Sequence, residues 1–108
     1  MFAQLTCFDG PRTDEQVAAA AFAGRERIAP AVATIPGIVG GYVLRGPDNA
    51  EIVLTLAETE DALTDAQRAV MSTELLPGEN PALLTGPDRV EIFCIADQFG
   101  AMPKEAGR

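Results

Sequence analysis

Six apolar segments, four short and two at helical spacing, set the order of elements along this chain. Phe2 to Phe8 is short, apolar and aromatic, and ends at the turn cluster Asp9-Gly10-Pro11, which predicts a strand. Thr13 then has the position of an N-cap, with Asp14 and Glu15 in the first turn and Gln16 at the capping-box position, so a helix starts at about Asp14. The Ala18 to Ala23 run has high helix propensity, and Val17, Ala21, Gly24 and Ile28 fall on one helical face. Gly24 weakens that stripe by about 1 kcal/mol against Ala, and is also a place where the helix can approach the sheet closely. Pro30 predicts a kink or an end, and any remaining turn stops before Pro36-Gly37.

Ile38 to Arg45 reads as the second strand and Ala50 to Glu58 as the third, joined into a hairpin by Gly46-Pro47-Asp48-Asn49. In the third, Ile52, Leu54 and Leu56 alternate against Glu51, Val53 and Thr55. Thr59 caps a second helix that runs to about Thr73, with Leu63, Ala66 and Val70 as its buried stripe. A loop rich in Pro and Gly follows, and Arg89 to Asp97 is the fourth strand. Ala101 to Arg108 is small and polar in composition and is expected to be a loose tail. The order β-α-β-β-α-β predicts an α+β, ferredoxin-like domain: a four-stranded antiparallel sheet, first and third strands central, both helices on one face.

Two helices cover one sheet face, yet the strands are apolar on both. Leu5 and Cys7 oppose Phe2 and Phe8; Val90, Ile92 and Cys94 oppose Phe93, Ile95 and Phe99; Ile38, Tyr42 and Leu44 oppose Val39 and Val43. The second face is expected to be apolar with Gln4, Thr6 and Thr55 as polar interruptions. Burying a few large side chains contributes roughly 1.5–3 kcal/mol each, so a second copy stacked sheet to sheet in a homodimer is the simple cover. The alternative cover is the loop from Leu75 to Thr85.

Length and composition fit one domain, residues 1–108 with its core at about 2–99. Sixteen acidic against eight basic residues give a formal charge of −8, which repels phosphate backbones and argues against nucleic acid or an anionic membrane as partner. There is no His, and Cys7 and Cys94 sit far apart inside apolar runs, so no Cys/His metal site can be built and two free structural thiols are expected. No stretch resembles a signal peptide or reaches transmembrane length, which makes the cytoplasm the expected location.

The segment Ile35-Pro36-Gly37-Ile38-Val39-Gly40-Gly41-Tyr42-Val43-Leu44-Arg45 carries a family likeness. Pro stops the helix, Gly permits a left-handed turn, and small residues allow close approach. With the element order over about residues 2–99, it resembles the dimeric α+β barrel superfamily and its antibiotic-biosynthesis-monooxygenase-like domains. The resemblance implies a homodimer with a pocket for a small aromatic or polyketide-like ligand, and a monooxygenase that uses no cofactor. It departs from some relatives: the His of haem-degrading members is absent, and Ala57-Glu58-Thr59 stands where several oxygenases place a Trp.

No Ser-His-Asp, Cys-His or phosphate-loop motif is present, so the catalytic residues stay unknown. Tyr42, the one Tyr, either orients a substrate with its phenol or packs at the sheet with its hydroxyl at the rim. Arg45 either binds a carboxylate or phenolate bidentately or is a surface charge among acidic neighbours. Arg68 on the second helix faces a pocket mouth or solvent. Gln4, Thr6 and Thr55 hydrogen-bond either a ligand or each other across a dimer. Three functions remain open at this point: a cofactor-independent oxygenase, a non-catalytic ligand-binding domain, and a structural or interaction homodimer.

Overall fold

A computed structural model describes residues 1–100; the tail expected at Ala101 to Arg108 lies outside the described residues. The strands are β1 (Phe2–Phe8), β2 (Ile38–Arg45), β3 (Glu51–Ala57) and β4 (Arg89–Cys94), and the helices α1 (Asp14–Ala23), α2 (Ala29–Ala33) and α3 (Glu60–Met71). The sheet is antiparallel with order β2-β3-β1-β4, so β1 and β3 are central as the ferredoxin-like pattern requires.

Local chemistry sets the helix starts. Thr13 accepts from the Gln16 backbone N–H while the Gln16 side chain accepts from the Thr13 N–H, closing the capping box. Thr59 caps α3 by accepting from Ala62 N–H. Leu63 and Ala66 are buried and Val70 half-buried along α3, which ends at Met71, two residues short of Thr73.

Of the two outcomes expected at Pro30, an interruption and an end, the first helix takes the interruption. It does not stop there: Gly24–Ile28 forms a π-helical turn and α2 continues to Ala33. Proline lacks an N–H and its ring clashes with the carbonyl four residues back; one wide turn just before it takes up that conflict. Within α1 itself the buried face differs from the expected stripe. Ala23 is buried and Val17 half-buried, whereas Ala21, expected on the stripe, is exposed.

Strand register assigns the two faces. Phe2, Ala57 and Ile38 lie side by side and pack against Ala62 and Leu63 of α3, which marks the helix side. Gln4, Thr6 and Phe8 share it through alternation, with Thr55, Val53 and Glu51 opposite them on β3. A β-bulge between Ile38 and Gly40 puts Ile38 on the side of Val43 and Arg45, not with Tyr42 and Leu44 as unbroken alternation predicts. The other face carries Ala3, Leu5, Cys7, Ile52, Leu54, Leu56, Tyr42, Leu44 and Phe93. So the polar interruptions lie under the helices, and the open face is the more thoroughly apolar one. β4 ends at Cys94, and Phe99 lies beyond it, 91 % exposed.

The long loop does not cover the open face. Its Pro81–Leu83 turn packs against α1, and Gly78, Leu83 and Leu84 meet Ala19 and Phe22 around a depression of about 90 Å³. Arg27 in the π-helical turn fastens it: its Nε and Nη2 donate to the two Glu79 carboxylate oxygens at 2.8 and 2.9 Å, and its Nη1 donates to Thr73 Oγ1 at 2.7 Å. Those bonds, with one from the Leu76 backbone N–H, hold the Glu79 carboxyl below the usual carboxylate range. Cys7 is buried on the open face and Cys94 exposed on the helix face, five register positions apart, and both thiols are free.

Candidate functional site

The sequence candidates separate onto different surfaces. Gln4, Thr6 and Thr55 form a row on the helix side of the central strands. Gln4 and Thr55 are cross-strand partners, and Gln4 Nε2 donates to Thr6 Oγ1 at 3.4 Å. Gln4 Oε1 is buried and has no hydrogen-bond partner. A buried amide oxygen left this way costs about 1–3 kcal/mol, so an unfilled acceptor marks a polar place in an otherwise apolar space. Gly41 on β2 is the register partner of Thr55 and adds no side chain there; a Cβ at Gly41 would overlap the Leu54 carbonyl oxygen. The walls nearby are Val53, Val43, Ile92 and Val90, the last three exposed. These residues make an apolar sheet surface with a few convergent polar atoms, the common composition of a small-molecule site.

Arg45 lies on the same face at the end of β2, and its Nη1 meets Glu51 Oε1 at 2.9 Å. Tyr42 does not join this group. It sits on the open face beside Leu54, 57 % exposed, with the sheet between it and Gln4. Arg68 is on the outside of α3, its side chain 70 % exposed and paired with Asp65 at 3.0 Å.

Sequence reading missed Arg12. It lies in the link between β1 and α1, with its backbone N–H donating to the Asp48 carbonyl at 3.1 Å and its carbonyl accepting from Asn49 Nδ2 at 3.0 Å. Asp48 and Asn49 adopt left-handed φ of 56° and 63° to reach it, a conformation that Asn and Asp tolerate better than most residues. The guanidinium then lies over the Phe8 ring, 5.1 Å from its centroid, and Nη1 is 3.8 Å from Glu51 Oε1. Its signal in the sequence is only a basic residue directly before a cap; the hairpin turn that places it lies far downstream, at Asp48 and Asn49.

The element order, sheet order and one-sided helix layer define a ferredoxin-like α+β fold. Among solved structures, the chain is similar to a point mutant of MhuD with two manganese protoporphyrin IX bound per active site, at TM-score 0.71 and 20 % identity, covering 94 % of this chain and 100 % of that one. It is similar to SnoaB, a cofactor-independent oxygenase from Streptomyces nogalater, at TM-score 0.53 and 21 % identity, covering 93 % and 94 %. A dimeric ferredoxin-like protein from an uncultured marine organism matches at TM-score 0.56 and 6 % identity, covering 93 % and 90 %. No family model matches the chain, and no curated protein matches it. At these identities the likeness establishes the fold. No helix among the described residues is long and apolar enough to cross a membrane.

Proposed function

We propose that this chain binds a small aromatic molecule between its sheet and its helices and oxidises it with molecular oxygen, using no bound cofactor. The observation that carries the reading is the Gln4–Thr6–Thr55 row in an apolar setting, with a buried Gln4 oxygen that has no partner in the protein. Likeness in fold to the oxygenase SnoaB supports the choice of reaction. Likeness to MhuD with its porphyrins supports the idea that this fold accommodates a flat ring system, although the chain has no His to hold haem iron.

An anthrone-type phenol suits the site. Its ring CH₂ loses a proton to give a stabilised carbanion, and the carbanion passes electrons to O₂. One oxygen atom becomes the new carbonyl of the quinone, and the other leaves as water with the two substrate hydrogens. Gln4 and Thr55 would orient the phenol oxygens through hydrogen bonds. The test is quinone formation from a ring-hydroxylated anthrone such as dithranol under air with no added cofactor, with Gln4→Leu and Thr55→Val as variants. Turnover above the protein-free rate, reduced about tenfold or more in either variant, is the expected result; turnover unchanged in both would refute these roles.

A second reading is binding without turnover. It is favoured by the ionisable groups on that face, which are limited to Glu51, Arg45 and Cys94 among the described strand residues, with Tyr42 on the other side. Saturable binding of anthrone with no oxygen uptake would select it.

The open sheet face supports a homodimer. Four strands at about 4.8 Å and seven residues at about 3.3 Å make a face of roughly 400 Å² in projection, the size of the largest apolar patch on a typical monomer, which is often a contact surface. Arg89, paired with Asp9 and Glu91 at 3.2 Å each, supplies a polar rim at the β4 side. An apolar centre with a charged rim on a flat sheet is self-complementary under a two-fold axis.

A further inference from the structure

Three charged side chains meet at one end of the helix-side face, and their charges do not balance. Glu51 Oε1 is 2.9 Å from Arg45 Nη1 and 3.8 Å from Arg12 Nη1, so one carboxylate serves two guanidinium groups. Arg12 is the unusual member. Its side chain is 8 % exposed, and its Nε and Nη1 are buried without a hydrogen-bond partner. At 3.8 Å the Glu51 contact is an attraction between charges and not a hydrogen bond. Arginine remains protonated in proteins, so the cluster holds one uncompensated positive charge in a chain whose formal charge is −8. Arg45, 42 % exposed, is the side from which the cluster can be reached.

We propose that this cluster is a subsite for the anionic end of a ligand, a carboxylate or an ionised phenol. The ligand oxygen takes Arg45, entering from the solvent side. Glu51, released from Arg45, closes the remaining distance to Arg12 and satisfies its orphaned donors. The anion therefore gains a charge-assisted hydrogen bond at Arg45, and the protein gains a second one at Arg12, whose Nε and Nη1 have no partner in the structure. Phe8 under Arg12 gives the guanidinium a fixed plane. Position makes this an end of the same chamber: Phe8 and Glu51 are cross-strand partners on the face that carries Thr6 and Gln4. Gln4 and Phe8 are four residues apart on β1, about 13 Å at strand spacing, which is the length of a two- to three-ring aromatic acid. The inference rests on the reading of that face as a ligand chamber and adds the charge of the ligand to it.

The experiment compares 2-naphthoate with its methyl ester, titrated into the full chain and followed by NMR of the backbone amides and the arginine Nε–H groups. The acid is expected to bind about tenfold or more tightly than the ester, to shift the Arg12 Nε–H resonance, and to lose that preference in Arg45→Met. Glu51→Gln removes the competing carboxylate and is expected to tighten the acid several-fold without changing the ester. Arg12→Gln is expected to weaken the acid; if that variant does not fold, the Arg45→Met and Glu51→Gln pair still decides the matter. Equal binding of acid and ester, with the Arg12 resonance unmoved, would overturn the anion subsite and leave the chamber standing. Binding of neither compound would overturn both readings.

Discussion

Arg27 and Glu79 join two segments that the sequence keeps far apart, and their chemistry makes a pH-dependent bond. The Glu79 carboxyl is held below its usual range, first by the Arg27 hydrogen bonds and then by the Leu76 N–H. The unfolded chain therefore takes up the proton at higher pH than the folded one. The stabilisation is fully present above the unfolded carboxylate pKa and is lost as pH falls through the lowered folded value. Glu79→Gln is expected to lower the denaturation midpoint at neutral pH and to leave a shallower acid limb than wild type. Denaturant titrations at neutral and acid pH measure both. Parallel acid limbs in the two proteins would show that Glu79 contributes no linkage. Arg12 and Gln4 show the same dependence on distant partners, since nothing beside either in the sequence reveals that its polar atoms end up buried and unpaired.

Among elements, the interrupted first helix and the bulged second strand depart most from simple periodicity, and each contains a glycine whose role differs. Gly24 is in the π-helical turn at an ordinary right-handed φ of −61°, and no atom stands within 4 Å of where its Cβ would be. Gly24→Ala is therefore expected to stabilise the protein by about 0.5–1 kcal/mol through reduced backbone entropy of the unfolded chain. Gly41 has the opposite character, because its Cβ would overlap the Leu54 carbonyl oxygen on the paired strand. Gly41→Ala is expected to cost about 1–3 kcal/mol. Thermal and urea unfolding of the two variants test the pair. Equal effects would mean that close strand approach at Gly41 is not what keeps that residue small. Thr13 and Thr59 behave as their positions in the sequence require, and replacing either by Ala is expected to cost about 1 kcal/mol, read in the same unfolding experiment.

For the whole molecule, the governing feature is a sheet with a helix layer on one side and, among the described residues, no helix on the other. Tyr42 is 57 % and Phe93 52 % exposed on that open face, with Leu54 of β3 between its cross-strand neighbours Leu5 and Tyr42. Sedimentation equilibrium is expected to give twice the chain mass for the wild type and the chain mass for Leu54→Glu. The variant should retain its far-ultraviolet circular dichroism, because the substituted side chain faces away from α3. A monomeric wild type would remove the dimer from the account and leave the open face without an occupant.

The chain's own pattern determined the element order, both N-caps, the hairpin, the central placement of β1 and β3, and the presence of two apolar sheet faces. These follow from local propensity and from alternation, which act within a few residues. Tertiary structure decided which face the helices cover. It set Gln4, Thr6 and Thr55 beneath them, left Tyr42 on the far side through the bulge at β2, and brought Arg12 to Glu51 by way of the Asp48–Asn49 turn. Alternation cannot tell two apolar faces apart. A one-residue bulge reverses every assignment beyond it, and a contact between residues 12 and 51 depends on the path of the whole chain between them.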